Sequence, residues 1–185
     1  MTLPTKDEAQ TLLYSYVTDP YQRLHADMVA ATTAAYASVF GEDEHLYFIT
    51  GYLHDIDYEQ FPTEHPGPSL KWFKDWGYPT ELIDAIEAHA DGFNGFTKKP
   101  VTNLDKALIA CDEICGIFYA YQKLNPIPFG QIKASSIKKK IAEERFAPGI
   151  SRPHILAAVD TLGITLDDHV NRLITALATL DKPSN

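Results

Sequence analysis

Apolar residues recur at intervals of three and four along nearly the whole chain, and nowhere at a sustained interval of two. Leu24, Met28, Thr32, Ala35 and Val39 make one such stripe, Leu46, Ile49 and Leu53 a second, and Leu104, Leu108, Cys111, Cys115 and Phe118 a third. A helix turns ~100° per residue, so each set falls on one face that needs cover from water. No hairpin-type dipeptide separates two apolar runs. The fold class expected is therefore all-α. Stop and start signals predict helices over 7–17, 21–40, 42–54, 69–76, 79–92 and 102–124, and shorter ones over 135–144, 151–162 and 165–180. Residues 58–68, with three prolines and a glycine, and 92–100 read as loops.

At 185 residues the chain has a single-domain length, and the expectation is one helical domain over 1–185. Such a chain buries ~70% of the surface its unfolded form exposes and needs no disulfide. Sixteen Lys and Arg against 25 Asp and Glu leave a net charge of −9. That argues against a nucleic-acid polymer or an anionic membrane as partner. No apolar run approaches the ~20 residues of a membrane span. The first residues are polar and acidic without the core of a signal peptide, so a cytoplasmic location with Cys111 and Cys115 as reduced thiols is expected.

The informative residues are polar ones on faces that ought to be apolar. His25 lies one turn before Met28 and Val29. His54 and Asp55 directly follow Leu53. His89 shares the stripe of Leu82 and Ile86, and Asp112 sits between Leu108 and Cys115. A buried carboxylate without partners costs several kcal/mol. A lone histidine on such a face is usually a satisfied core residue, and a lone aspartate an ion-pair partner. The set is harder to dismiss: His25, His54, Asp55, His65, His89 and Asp112 come from five segments of an acidic chain. A shared divalent cation would turn each desolvation cost into a bond. Imidazole and carboxylate ligands suit Fe, Mn, Ni, Co or Zn. Adjacent His54 and Asp55 diverge by ~100° on a straight helix, yet at a helix end both can reach one ion. The second oxygen of Asp55 is then free to bridge to another.

The order His25, His54-Asp55, Asp112 resembles the signature of the HD-domain superfamily of metal-dependent phosphohydrolases. The stretch GYLHDIDYEQFPTEHP is similar to that of small HD proteins in which I-D-Y-E and a His-Pro follow the HD pair. KALIACDEICG, SSIKKKIAEERFAPGISR and LGITLDDHV extend the likeness over about residues 21–176. The resemblance implies an all-α bundle with a metal-binding core over 21–122, and helices of 134–181 packed on it. It implies one ion held by His25, His54, Asp55 and Asp112. In the dinuclear branch of the superfamily two more histidines follow the HD pair. His65 and His89 occupy those places, which implies a second ion bridged by Asp55. The chain departs from the pattern at Tyr58, where many dinuclear phosphodiesterases have a lysine, and at Asp57, where the HDIG variant has glycine. It has no GYP motif, which argues against cyclic-dinucleotide cleavage.

The activity this implies is hydrolysis of a phosphate ester or nucleotide by metal-activated water. Asp57 is a candidate general base, or else a partner that orients a ligating imidazole. A small anionic phosphorylated substrate needs further positive charge. Lys140, Arg145 and Arg152 are the candidates, with Arg23 and Lys106 close in sequence to proposed ligands and Lys139 read as solvated. The alternative is a di-iron oxygenase of the same superfamily, cleaving a C–C or C–P bond, because the ligand set is shared. A metal-stabilised scaffold without activity is a third reading. A ferritin-like bundle fits poorly, since Glu42-x-x-His45 is the sole Glu-x-x-His pair. His154 and His169 receive no role. Tyr119, Tyr121 and Phe129 are candidates for an apolar homodimer contact.

Overall fold

In the computed structural model, which describes residues 3–181, nine α-helices and two short 3-10 turns account for the regular structure, and the described residues contain no strand. The expected domain over 1–185 extends at both ends beyond the described residues. The helices are α1 (Lys6–Tyr16), α2 (Pro20–Phe40), α3 (Glu44–Leu53), α4 (Gly67–Asp75), α5 (Thr80–His89), α6 (Asn103–Leu124), α7 (Ala134–Ile141), α8 (Arg152–Thr161) and α9 (Leu166–Leu177).

Six of the nine start on side-chain caps, while α4, α5 and α7 have none. The Asp19 carboxylate accepts from the Tyr21 N–H with Pro20 as the first helical residue, Asp43 accepts from the His45 N–H, and Thr102 and Asp105 form a reciprocal capping box. Each such cap is worth ~1 kcal/mol. The predicted start of α3 at residue 42 is two residues early, because Asp43 rather than Gly41 satisfies the first free N–H groups. Gly41 closes α2 with a φ of 69°, the left-handed conformation that costs glycine no Cβ clash. Gly67 and Pro68, predicted as loop, are the first turn of α4, where proline's missing N–H costs no helical bond.

Helix α2 is the axis of the molecule. It packs most extensively on α3, and next on α6 and α9, while α5 lies against α6. Met28, Val29, Ile49, Leu53, Ile56, Leu82, Ile86, Leu108 and Phe118 are fully buried between these helices. Each such side chain contributes about 1.5–3 kcal/mol by leaving water. The α2–α3 contact is close because residue 51 is glycine. A Cβ there would lie 2.8 Å from the Val29 carbonyl oxygen and 3.0 Å from the Ala30 Cα. Helix α7 packs on α9 and α6, and α8 on α6, so the C-terminal helices close over the end of the α2–α6 core. No described helix is long and apolar enough to cross a membrane.

Candidate metal centre

Five separate segments deliver the polar residues to one place. His25 comes from the first half of α2, His54 and Asp55 follow the last residue of α3, and His65 lies in the turns before α4. His89 ends α5, and Asp112 sits in the middle of α6. The end of α3 matters most. Past Leu53 the chain leaves the helix for a series of turns, and this lets His54 and Asp55 face the same centre. The close approach at Gly51, one turn earlier, sets how near His54 comes to α2.

Two clusters result. His54 Nε2 lies 3.3 Å from Asp55 Oδ2 and 3.4 Å from Asp112 Oδ1, and His25 Nε2 lies 3.0 Å from Asp112 Oδ1 and 3.8 Å from Asp55 Oδ2. On the other side of Asp55, Oδ1 lies 3.3 Å from His65 Nε2 and 3.6 Å from His89 Nε2. In each cluster, one candidate ligand atom per residue lies within 4.8 Å of all the others. Asp55 is the member common to both, with one oxygen turned to each.

The tautomers are fixed from behind. His54 Nδ1–H donates to the Gly51 carbonyl at 2.8 Å, and His89 Nδ1–H to the Ile86 carbonyl at 2.5 Å. His65 Nδ1 is 2.6 Å from Asp57 Oδ1. With these three Nδ1 protons committed, the Nε2 atoms of His54, His65 and His89 face one another and the carboxylates, while His25 meets Asp112 Oδ1 through Nε2 at 3.0 Å. His54 Nε2 is buried with no hydrogen-bond partner, and so is His25 Nδ1. Lone pairs facing carboxylate oxygens repel unless a proton or a metal ion lies between them. The residues therefore fit a divalent cation at each cluster, and the committed Nδ1 atoms are the backing that ligating histidines need.

The electrostatics agree in direction. Burial acts to lower the His54 pKa, but the Asp55 and Asp112 carboxylates beside it outweigh burial and raise it well above the ordinary value. Burial acts to raise Asp55, and the imidazoles of His54, His89 and His65 outweigh it and hold Asp55 well below the carboxylate range. Asp112 is lowered in the same way, against burial, by His54 and His25. The site draws positive charge to its centre.

The clusters open on a cavity of about 530 Å³. His25, Asp55, His65, His89 and Asp112 line it, while His54 is fully buried behind them. Tyr21, Tyr58, Phe93, Asp91, Glu113 and His154 are among the other residues of the wall.

Several other residues singled out in the sequence lie away from the cavity wall. Asp57 is fully buried and does not line the cavity. Its Oδ1 meets His65 Nδ1 and its Oδ2 accepts the Ser69 N–H at 2.9 Å. That is the geometry of the imidazole-orienting role, the second of its two expected roles. Lys140, Arg145 and Arg152 do not line the cavity either. Lys140 pairs with Glu143 at 2.7 Å, Arg145 is exposed, and Arg152 is buried with its guanidinium donating to the carbonyls of Phe146, Ala147 and Ile150. Arg152 fastens the segment between α7 and α8, and the one donor it leaves unpaired, Nε–H, is buried away from the cavity. Arg23 is held by the Val17 carbonyl at 2.9 Å and the Tyr14 ring, and Lys106 is also absent from the wall. Phe129, one of the three aromatics expected at a dimer contact, is buried in the chain's own core, and Tyr119, half-buried, packs on Tyr21 at 4.3 Å.

Other residues of the wall, Tyr21, Glu113 and His154 among them, carry no motif that signals a site role in the sequence. Tyr21 lies one turn before His25 on α2, a spacing that marks it as a neighbour on the same face. His154 meets Glu113 from a helix 41 residues away, and no local pattern announces that. His169 has a structural place: its Nε2–H donates to the Ala110 carbonyl at 3.0 Å, and its Nδ1 accepts the Tyr36 hydroxyl.

The sequence matches the HD domain family over residues 24–116, half of the chain, in a span that includes all six residues of the two clusters. This all-α chain with its paired His/Asp clusters belongs to the HD domain family. The family lies within a superfamily of metal-dependent phosphohydrolases whose members bind divalent metals. No curated protein and no solved structure matches the chain.

Proposed function

We propose that the protein is a metal-dependent phosphohydrolase with a dinuclear centre, acting on a phosphate ester. His25, His54, Asp55 and Asp112 would hold one divalent transition-metal ion, and Asp55, His65 and His89 the other. The observation that carries the reading is Asp55, whose two oxygens face two separate groups of imidazole Nε2 atoms. Bound divalent ions supply a Lewis acid for a phosphoryl oxygen and lower the pKa of a bound water towards ~7. The protein contributes the rest. Gly51, Asp57 and Ile86 fix the imidazole tautomers through Nδ1. His54, buried behind the wall, keeps one face of the site dry. Tyr21, Tyr58 and Phe93 supply an aromatic wall for the organic part of the substrate.

The test is phosphate release from a panel of phosphomonoesters, phosphodiesters and phosphoanhydrides by protein prepared with Mn²⁺, Co²⁺ or Fe²⁺. Metal-dependent release, abolished by His54→Ala, supports the reading. Failure on every class, together with O₂ consumption by the iron-loaded protein given a polyol or phosphonate, replaces it with the di-iron oxygenase.

A further inference from the structure

Outside the six residues of the clusters, the cavity wall offers neutral donors in Tyr21, Gln22 and Tyr58 but little positive charge. Among the described residues no lysine or arginine lines it. Asp91 is acidic and faces Lys99 at 2.7 Å, and Glu113 is acidic too. The one group left that can be cationic is His154.

His154 is a held residue. Glu113 follows Asp112 on α6, and its carboxylate turns towards α8. Its Oε2 accepts the Ser151 N–H at 2.8 Å, and its Oε1 accepts from His154 Nδ1 at 2.9 Å. Nδ1 is thereby committed and Nε2 remains for a ligand. The hydrogen bond to Glu113 raises the pKa of the ring while burial works against it, so the pair favours the doubly protonated imidazole. A charge-assisted N–H donor of this kind is one of the stronger ways to hold a phosphoryl oxygen.

We propose that His154, positioned by Glu113, donates to a phosphoryl oxygen of the substrate, and that the substrate carries a single phosphoryl group on a small uncharged organic body. This rests on the phosphohydrolase reading. The second half follows from the wall's charge. Each further phosphate of a polyphosphate adds about one negative charge, and beyond the metal-binding set it meets the carboxylates of Asp91, already paired with Lys99, and Glu113, with one imidazole free to turn to the ligand. An uncharged body suits the remaining wall, where Tyr21, Tyr58 and Phe93 present aromatic faces.

The experiment is calorimetric titration of the metal-containing protein with inorganic phosphate and with inorganic triphosphate, needing no turnover. His154→Ala is expected to weaken phosphate binding by about tenfold or more, the loss of one charge-assisted hydrogen bond, with melting temperature and metal content as in the wild type. If His154→Ala disturbs either, His154→Gln, which keeps an N–H and loses the charge, is read with the same direction expected. Triphosphate is expected to bind no tighter than phosphate. Unchanged phosphate affinity in both variants overturns the role of His154. Triphosphate binding about tenfold tighter than phosphate overturns the substrate class. If the metal-containing wild type binds no phosphate, the phosphohydrolase reading falls as well, which separates that failure from the other two.

Discussion

His65 Nε2 and His89 Nε2 face each other at 3.1 Å, although each ring has its Nδ1 committed to another acceptor. Two lone pairs at that distance repel, and Asp55 Oδ1, at 3.3 and 3.6 Å from them, adds a third acceptor to the same small space. Helices do not deliver three acceptors to one point for packing alone. A cation among them relieves the contact, and the consequences can be measured.

The first concerns Asp57. Its carboxylate holds His65 Nδ1 and the Ser69 N–H and reaches no solvent. Asp57→Ala should weaken binding at the Asp55–His65–His89 cluster by about 10–100-fold, as loss of an outer partner of a ligating imidazole does, and leave the other cluster near its wild-type affinity. Competition with a chromophoric chelator checks this. A general base would instead leave metal affinity intact and abolish turnover.

A second concerns the crossing of α2 and α3. Gly51→Ala places a methyl carbon about 3 Å from backbone atoms of Val29 and Ala30, which cannot rotate away. The helices must separate, at a cost of ~1–3 kcal/mol. Urea denaturation should show that loss, and because His54 follows on the same helix, affinity at the His25–His54–Asp55–Asp112 cluster should fall with it.

A third concerns pH. Burial pushes the His169 imidazole from its ordinary value of 6.5 down to about 4. The folded state then binds fewer protons than the unfolded state between those two values. Stability from the neutral ring is full above about 6.5 and is lost as pH falls towards about 4, at a rate that limits the loss to ~3 kcal/mol. Denaturation curves at pH 7.5, 6 and 4.5 should show the decline, and His169→Gln should flatten it while starting from a lower stability at pH 7.5. A variant whose pH dependence matches the wild type would remove His169 as its source.

What the sequence disclosed, and what it withheld, follow from where the information lies. The stripe through Leu24 and Met28, with caps at Asp19 and Thr102, announces helices because those patterns are local. The HD pair and its flanking histidines are legible for a related reason: each is a polar residue on a face that packing needs apolar, and their common order carries the family likeness. Lys140, Arg145 and Arg152 lie off the cavity wall, a placement that a run of cations in sequence cannot disclose because it says nothing about what lies opposite. Arg152 turns inward to three backbone carbonyls that its own neighbours present. Gly51, His154 and Glu113 were silent because their meaning rests on contacts across helices.

The central claim is that two ions share Asp55, and metal content tests it most directly. Protein purified without chelator should contain close to two equivalents of transition metal by elemental analysis. His65→Ala and His89→Ala should each lower that towards one, and His54→Ala should remove the ion of the opposite cluster. One equivalent in the wild type, unchanged by His65→Ala or His89→Ala, would contradict the account.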